Sequence, residues 1–366
     1  MTLNELENKA LGMLIGGAIG DALGAAGEFH GPHSISLIDE LKPAGSNHIN
    51  NEAVLTDRIG QEWAIWDSSV TNDTIGVITD DTSFRLTLLH PWLLTEASRS
   101  LSEESFRSWI ENAPSPLPSW EQAYLRQIEQ WKLMWFQAES YKTDPDNFNV
   151  DSSNEFYRPT KPIIFGMFMF LEAGFITPSV TTILDTEQRA KDATYFWQRV
   201  MNDVVENTSG DLPGIINDTL SEIKENLSPE IAGSIIWGLK RGTVFREQNL
   251  SEDEAVSFLN DSAFTWEKHV EFGFFFSPLF TRAMAFAAAY AKEDCNKALR
   301  VLSACPGDSD TMPSFLGSIY GGLLGPDVFR ESWRTPVRNY IETTYAINLE
   351  EIAHQLAIIR DEATLA

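Results

Sequence analysis

Glycine recurs every four residues near the start of the chain, at Gly12, Gly16, Gly20 and Gly24. Each glycine inside a helix costs about 1 kcal/mol relative to alanine. A helix with four glycines needs a stabilising contribution that offsets this cost. Close packing against a second backbone is the contribution typical of glycines on one helix face, here called a glycine stripe. The spacing therefore predicts a tightly packed core helix.

A second stripe lies near the other end of the chain, at Gly317, Gly321 and Gly325. Its spacing matches that of the first stripe, so we expect the two helices to pack on each other. Such packing would bring the loop residues 21–29 and 307–311 into one place.

Most of the chain has the hydrophobic periodicity of helices, with apolar residues three and four positions apart. The segments that carry it are residues 5–23, 83–94, 120–136, 190–205, 212–227, 231–239, 254–259, 279–290, 296–302, 314–324 and 349–359. The pattern predicts an all-α fold in a single compact domain spanning residues 1–366. A stretch rich in glycine, asparagine, proline and aspartate predicts a loop insertion at residues 27–73, and a polar stretch predicts a second at residues 139–162. A shorter loop is expected at residues 242–251.

The charge of the chain restricts its partners. The formal net charge at pH 7 is −26, which repels the phosphates of nucleic acids and the surface of anionic membranes. Two cysteines cannot build a disulfide framework or a cysteine zinc cluster, and the acidic residues 1–9 lack the basic start of a signal peptide. We therefore expect a cytoplasmic protein that binds neither nucleic acid nor membrane.

An acidic cluster, Thr79-Asp80-Asp81-Thr82, stands directly before an apolar helical segment. Adjacent carboxylates are tolerated at a helix start, because the N-terminal end of the helix dipole favours negative charge. Thr79 is also suited to cap that helix. Taken alone, the cluster is explained by an ordinary acidic helix start.

A second cluster, Asp308-Ser309-Asp310-Thr311, follows Gly307 and precedes the second glycine stripe. In an extended segment, residues two positions apart point the same way, so Asp308 and Asp310 are expected to converge beside the Thr311 hydroxyl. A helix cap needs only one carboxylate. Capping therefore does not explain the presence of two carboxylates, and the second one indicates an additional role for this cluster.

The two clusters together supply four carboxylates and several hydroxyls. If they meet, the carboxylates cannot all ionise without a cation. Carboxylate and hydroxyl oxygens are hard ligands that favour Mg²⁺, Mn²⁺ or Ca²⁺ over zinc. Four carboxylates are enough to bridge two ions, an arrangement that polarises an oxygen and activates a water molecule.

Three motifs resemble, in order and placement, those of the ADP-ribosylglycohydrolase family. They are Gly-Asp-Ala-Leu-Gly at residues 20–24 with Glu28 and Phe29 behind it, Thr-Asp-Asp-Thr at residues 79–82, and Gly-Asp-Ser-Asp-Thr at residues 307–311. The motifs cover a small share of the chain, but their combination is specific.

The resemblance implies an all-α fold around a central dinuclear site that holds two Mg²⁺ or Mn²⁺ ions. It implies hydrolysis of the glycosidic bond between ADP-ribose and an acceptor side chain, most of all arginine, in an ADP-ribosylated protein or ADP-ribosyl-arginine. Carried over position by position, the metal ligands would be Thr79, Asp80, Asp81, Asp308, Asp310 and Thr311. Glu28 would lie beside the distal ribose. The candidate carboxylates for removing a proton from the attacking water are Asp80, Asp81 and Glu28.

Two alternatives stay open. The family's usual central run, of the type Asn-Gly-Ala-x-Met-Arg, has no match at residues 158–168. This departure favours a binding or immunity protein that uses the same fold to recognise an ADP-ribosyltransferase or an ADP-ribosylated protein. The second alternative is a class I terpene cyclase, because residues 217–225 fit the spacing of a metal motif of that class. The aspartate-rich partner motif would need an aspartate where Phe84 stands.

Overall fold

The structure, a computed structural model, describes residues 1–25, 34–41, 74–79, 81–82, 85–86, 173–176, 187–207, 209–262, 277–306 and 309–365. In these ranges the chain is built from helices, which confirms the predicted all-α class. The α-helices are α1 (Leu3–Gly24), α2 (Ile35–Ile38), α3 (Ala173–Ile176), α4 (Gln188–Glu206), α5 (Leu212–Ile223), α6 (Pro229–Glu247), α7 (Glu252–Ser262), α8 (Ser277–Ala291), α9 (Cys295–Ser303), α10 (Thr311–Leu324), α11 (Glu331–Tyr345) and α12 (Leu349–Leu365). Short 3-10 helices follow α5 at Lys224–Asn226 and α10 at Pro326–Val328.

Some of the predicted elements fall outside the described residues. The helix predicted at residues 120–136 and the loop predicted at residues 139–162 lie there entirely. Of the helix predicted at residues 83–94, the structure describes Arg85 and Leu86, and both have helical backbone. Of the loop predicted at residues 27–73, it describes residues 34–41, which contain the short helix α2.

Helices α1 and α10 pack against each other in antiparallel order, as the two glycine stripes predicted. A Cβ atom added at Gly16 would lie 2.2 Å from the carbonyl oxygen of Gly317. One added at Gly321 would lie 1.8 Å from the carbonyl oxygen of Gly12. Real Cβ atoms essentially never come within 3.0 Å of another heavy atom. Only glycine therefore allows these two backbones to touch.

Helix α1 begins with a capping box and then runs through the core. The Glu5 N–H donates to Thr2 Oγ1 at 3.3 Å, and the Thr2 N–H donates to the Glu5 carboxylate at 2.7 Å. Every residue from Gly12 to Asp21 is buried, which is typical of a central helix covered on all sides. Among the described helices, none is long and apolar enough to cross a membrane.

The loop predicted at residues 242–251 is wrong in its first part, because helix α6 continues to Glu247. Only residues 248–251 separate α6 from α7. Gly242 is a packing position rather than a helix end, since a Cβ atom there would lie 2.3 Å from the carbonyl oxygen of Phe286 on α8. Gly238 makes the same kind of contact with the Arg282 carbonyl at 2.6 Å.

Helix α11 carries Pro336 in its interior, and the sequence pattern predicted no helix over residues 331–345. Burial of its apolar face, which includes Trp333 and Val337, stabilises it despite the proline. Gly76, with a φ of +80°, passes this point so closely that a Cβ atom would lie 2.7 Å from the Pro336 carbonyl carbon. This contact fixes the path of residues 74–79 as they approach the end of α1.

Lys9 of α1 is buried and caps the C-terminal end of α4. Its ammonium group donates to the carbonyl oxygens of Val204 and Val205 at 2.9 Å and of Asn207 at 2.8 Å. Carbonyls in the last turn of a helix have no partner within that helix. Burial lowers the pKa of Lys9 to about 8. The lysine thus ties the central helix to α4.

Replacing Lys9 with methionine is expected to lower the free energy of unfolding by about 1–3 kcal/mol, because buried carbonyls lose their donor. Urea denaturation measures the change. Lys240→Met alters an exposed lysine of α6 and is the control, with an expected effect within about 0.5 kcal/mol. Equal stability of the two variants would show that Lys9 contributes nothing as a cap.

Candidate metal centre

The glycine contacts bring the C-terminal end of α1 against the N-terminal end of α10. A Cβ atom at Gly20 would lie 2.1 Å from the Pro313 carbonyl oxygen, and one at Gly24 would lie 1.9 Å from that of Ser309. The Ser309 hydroxyl also donates to the Gly24 carbonyl at 2.9 Å. Asp21 of α1 is thereby held beside the first residues of α10.

Asp21 organises the segment that contains the first acidic cluster. Its Oδ1 accepts from the Thr79 N–H at 3.0 Å and from the Thr79 hydroxyl at 2.8 Å. Its Oδ2 accepts from the Thr82 N–H at 3.0 Å. A single carboxylate of α1 therefore fixes both the first and the last residue of the cluster.

Direct contacts join the two acidic clusters. Thr79 Oγ1 lies 3.2 Å from Asp310 Oδ2. The Thr311 hydroxyl donates to the Asp81 carboxylate, at 3.2 Å from Oδ1 and 3.0 Å from Oδ2. The prediction that residues 79–82 and 308–311 converge is confirmed for these four residues.

Three carboxylates meet without access to water at this point. The exposed fraction is 0% for Asp21, 2% for Asp81 and 1% for Asp310. Burial, followed by the charge of Asp310, raises the pKa of Asp21 to about 6, although hydrogen bonds from Thr82 and Thr79 act in the opposite direction. Burial and the neighbouring carboxylate of Asp310 therefore disfavour the charged form of Asp21.

The geometry suits a divalent cation. One carboxylate oxygen from each of Asp21, Asp81 and Asp310 lies within 4.8 Å of the other two. Ligands on opposite sides of a Mg²⁺ or Ca²⁺ ion lie about 4–5 Å apart, at twice the ion–oxygen distance. The Thr79 hydroxyl has one proton, yet it faces both the Asp21 and the Asp310 carboxylate. A divalent cation among the three carboxylates would balance their charge, so the three aspartates are able to hold a divalent metal.

Comparison with known proteins places the chain in a family. The family model described as ADP-ribosylglycohydrolase matches residues 2–364. The chain belongs to the ADP-ribosylglycohydrolase family. A solved structure named "ADP-ribosylglycohydrolase-related protein complex" is 16% identical, with a TM-score of 0.53, and the match covers 98% of this chain and 99% of that one. At this identity the match shows a shared fold.

A search among curated proteins found no significant match. The coarse function therefore comes from the family, which supports hydrolase activity of the ADP-ribosylglycohydrolase type on ADP-ribosylated substrates. The fold and the acidic cluster agree with divalent metal use in this family.

Three of the residues that the ADP-ribosylglycohydrolase motifs single out lie outside the described residues, namely Asp80, Asp308 and Glu28. The other four, Thr79, Asp81, Asp310 and Thr311, meet in the cluster. Asp310 is also the N-cap of α10, where its carboxylate accepts from the Thr311 N–H at 2.9 Å. Its capping role and its place in the cluster therefore coexist.

Asp21 is the site residue that the sequence analysis missed. It belongs to the Gly-Asp-Ala-Leu-Gly motif at residues 20–24, and the resemblance implied no role for it. The available signal was the position of a single carboxylate in residues 10–24, the glycine-striped and otherwise apolar part of α1, since buried carboxylates occur where partners or cations stabilise them.

The terpene cyclase alternative finds no support in the fold. Asn217, Asp218, Ser221 and Glu225 carry that motif, and all four are exposed on α5 and the following 3-10 helix. The Ser221 hydroxyl donates to the Asn217 carbonyl within the helix at 2.8 Å. These residues form a solvated helix face.

Proposed function

We propose that this protein hydrolyses the glycosidic bond between ADP-ribose and an acceptor side chain, with arginine as the preferred acceptor. The observation that carries the proposal is the buried meeting of Asp21, Asp81 and Asp310 in a chain of this family. Such a cluster supplies the concentrated negative charge that a divalent ion requires.

We infer two divalent ions, Mg²⁺ or Mn²⁺, as the cofactor. The residues proposed to hold them are Thr79, Asp80, Asp81, Asp308, Asp310 and Thr311. When bound, such ions orient ribose hydroxyls and lower the pKa of a coordinated water. Support comes from the hard oxygen donors of the described members and from the single Thr79 proton that faces two carboxylates.

The carboxylates proposed to take the proton of the attacking water are Asp80, Asp81 and Glu28. Of these, Asp81 is described, and both of its oxygens face the Thr311 hydroxyl. That contact fixes the orientation of the carboxylate, which a general base within hydrogen-bond reach of a water needs. Glu28 follows α1 closely in the sequence and is proposed to lie beside the distal ribose.

The remaining expectations stand as proposals beside this one. A single domain over residues 1–366 is supported by a continuous core that includes both Leu6 and Ala357. A reducing, cytoplasmic location is supported by Cys295 and Cys305, which are buried free thiols. The proposed partners are an ADP-ribosylated protein or ADP-ribosyl-arginine.

The test is an assay of ADP-ribose release from an ADP-ribosyl-arginine peptide, followed by chromatography with Mn²⁺ or Mg²⁺ and again with EDTA. We expect release that stops with EDTA and that falls at least about a hundredfold in Asp81→Asn, because metal-bound groups supply several kcal/mol of transition-state stabilisation. Serine-linked ADP-ribose, run in parallel, tests the acceptor.

The matched control is Asp294→Asn. Asp294 is an exposed N-cap of α9 that accepts from the Lys297 N–H at 3.0 Å, so its replacement should leave turnover unchanged. If metal binds and neither arginine- nor serine-linked ADP-ribose is released, hydrolysis is the wrong function. A tight stoichiometric complex with an ADP-ribosyltransferase would then establish the binding or immunity function.

A further inference from the structure

A buried arginine connects the two halves of the acidic cluster. Arg85 exposes only 4% of its surface, and its guanidinium group reaches α10. Nη1 donates to the Ser318 hydroxyl at 2.9 Å, and Nη2 donates to the Ser314 hydroxyl at 2.5 Å. Nε donates to the main-chain carbonyl of Asp81 at 3.1 Å. Three nitrogen donors of the rigid, planar guanidinium group therefore bind acceptors on two separate segments, the acidic cluster at residues 79–82 and helix α10.

The partners of Arg85 are close to the residues that carry the proposed chemistry. Asp81 belongs to the first cluster, and Ser314 lies one helical turn after Asp310 and Thr311. Ser314 and Ser318 are fully buried. The guanidinium group therefore sets the position of the Asp81 backbone relative to the start of α10.

Gly17 of α1 provides the space for this group. A Cβ atom at Gly17 would lie 2.7 Å from Arg85 Nη2, 2.9 Å from Arg85 Nη1 and 2.3 Å from Ser318 Oγ. Gly16, its neighbour in the stripe, instead faces the backbone of α10. Gly17 thus differs in kind from the stripe glycines, because it makes room for side chains.

We propose that Arg85, seated in the space left by Gly17, is a positioning residue that holds Asp81 in register with Asp310 and Thr311 for metal binding. This inference rests on the proposed function, because it assigns Arg85 to the same metal centre. Arginine suits the task better than lysine, since its planar fork serves several acceptors in fixed directions.

Calorimetry with Mn²⁺ alone, on the full chain, tests the inference without any substrate. We expect Arg85→Met to weaken Mn²⁺ affinity at least about tenfold and Arg85→Lys to recover part of the loss. The control is Arg360→Met. Arg360 is equally buried but donates to Asn202 at 2.8 Å and Glu206 at 2.6 Å, both on α4. Its loss should lower the melting temperature and leave Mn²⁺ affinity within about twofold.

A second variant keeps the arginine and removes its space. Gly17→Ala should weaken Mn²⁺ affinity in the unchanged background and have a smaller effect in the Arg85→Met background, because the displaced group is then absent. If Arg85→Met does not fold, Gly17→Ala alone decides the question.

The outcomes separate this inference from the proposed function. A folded Arg85→Met variant, or a folded Gly17→Ala variant, whose Mn²⁺ affinity stays within twofold of the unchanged chain would overturn it, as would a chain that binds no Mn²⁺. Normal Mn²⁺ binding without release of ADP-ribose would contradict the proposed function alone, and the affinities of the variants would still decide the role of Arg85.

Discussion

Replacing Gly321 with alanine is expected to lower the free energy of unfolding by about 3 kcal/mol or more. The new Cβ atom would lie 1.8 Å from the Gly12 carbonyl oxygen and 2.2 Å from its carbonyl carbon. Both atoms belong to backbone, so relief requires α1 and α10 to separate. Overpacking of a core typically costs about 1–3 kcal/mol and occasionally more, and a clash with backbone belongs at the upper end of that range. Proteins of this size are stable by only about 5–15 kcal/mol, so urea denaturation should show a large shift in the midpoint.

Gly233→Ala is the matched control for the same chemical change. A Cβ atom at Gly233, in the interior of α6, meets no atom within 4 Å. Alanine there should raise the free energy of unfolding by about 0.5–1 kcal/mol, since it favours the helix without a clash. If Gly321→Ala were as stable as Gly233→Ala, the two helices would not be in backbone contact.

Asp310→Asn is expected to weaken Mn²⁺ binding at least about a hundredfold, measured by calorimetry, because a metal-ligating charge is lost from a buried site. Asparagine keeps the shape of the side chain and remains a good helix cap, so α10 should still form. Asp294→Asn, the exposed cap of α9, is again the control and should leave Mn²⁺ affinity unchanged. Unchanged affinity in Asp310→Asn would mean that Asp310 serves only as a helix cap.

The same variant should change the dependence of stability on pH in the absence of metal. The pKa of Asp21 is raised from 3.8 to about 6, by burial and then by the charge of Asp310. The folded protein therefore holds this proton more tightly than the unfolded chain does. The stabilisation is present below about pH 4 and is lost as the pH rises to about 6, on the order of 2–3 kcal/mol.

Asp310→Asn removes one cause of the raised pKa of Asp21. The stability lost between about pH 4 and pH 6 should therefore be smaller in this variant. In EDTA at pH 7 the variant should consequently melt at a higher temperature than the unchanged protein. Excess Mn²⁺ should reverse the order, because a ligand stabilises only the protein that binds it. Thermal melts from pH 4 to pH 7 check both statements, and parallel curves for the two proteins in EDTA would contradict them.

The packing of α1 on α10 and the meeting of Thr79, Asp81, Asp310 and Thr311 were predictable because the motifs that encode them are local. Glycines four residues apart in a helix are typical of close approach to a second backbone. Two clusters of carboxylates can meet only where a cation or protons compensate their charge. What the sequence could not show was the hydrogen bonding of Asp21, since its partners Thr79 and Thr82 are 58 and 61 residues away. The position of the Arg85 guanidinium group was unpredictable for the same reason, because its partners Ser318 and Ser314 are 233 and 229 residues away.

The missed helical segments have a physical explanation too. Pro336 and the polar residues around it argue against a helix by propensity, yet burial of Trp333 and Val337 stabilises α11. Gly242 was predicted to begin a loop, but it lies inside α6 and allows α6 to pack closely against α8. Propensity describes an isolated segment, whereas tertiary contacts decide which segments remain helical.

The antiparallel pairing of α1 with α10 has a consequence for biosynthesis. The contact between Gly24 and Ser309 spans 285 positions, so α1 emerges from the ribosome long before its partner exists. At about 5–20 residues per second the delay is roughly 15–60 s. During this time residues 12–21 of α1, which are all buried in the folded protein, lack the surface of α10 that covers them. The candidate metal centre is completed only after Asp310 and Thr311, in the last sixth of the chain, have been made.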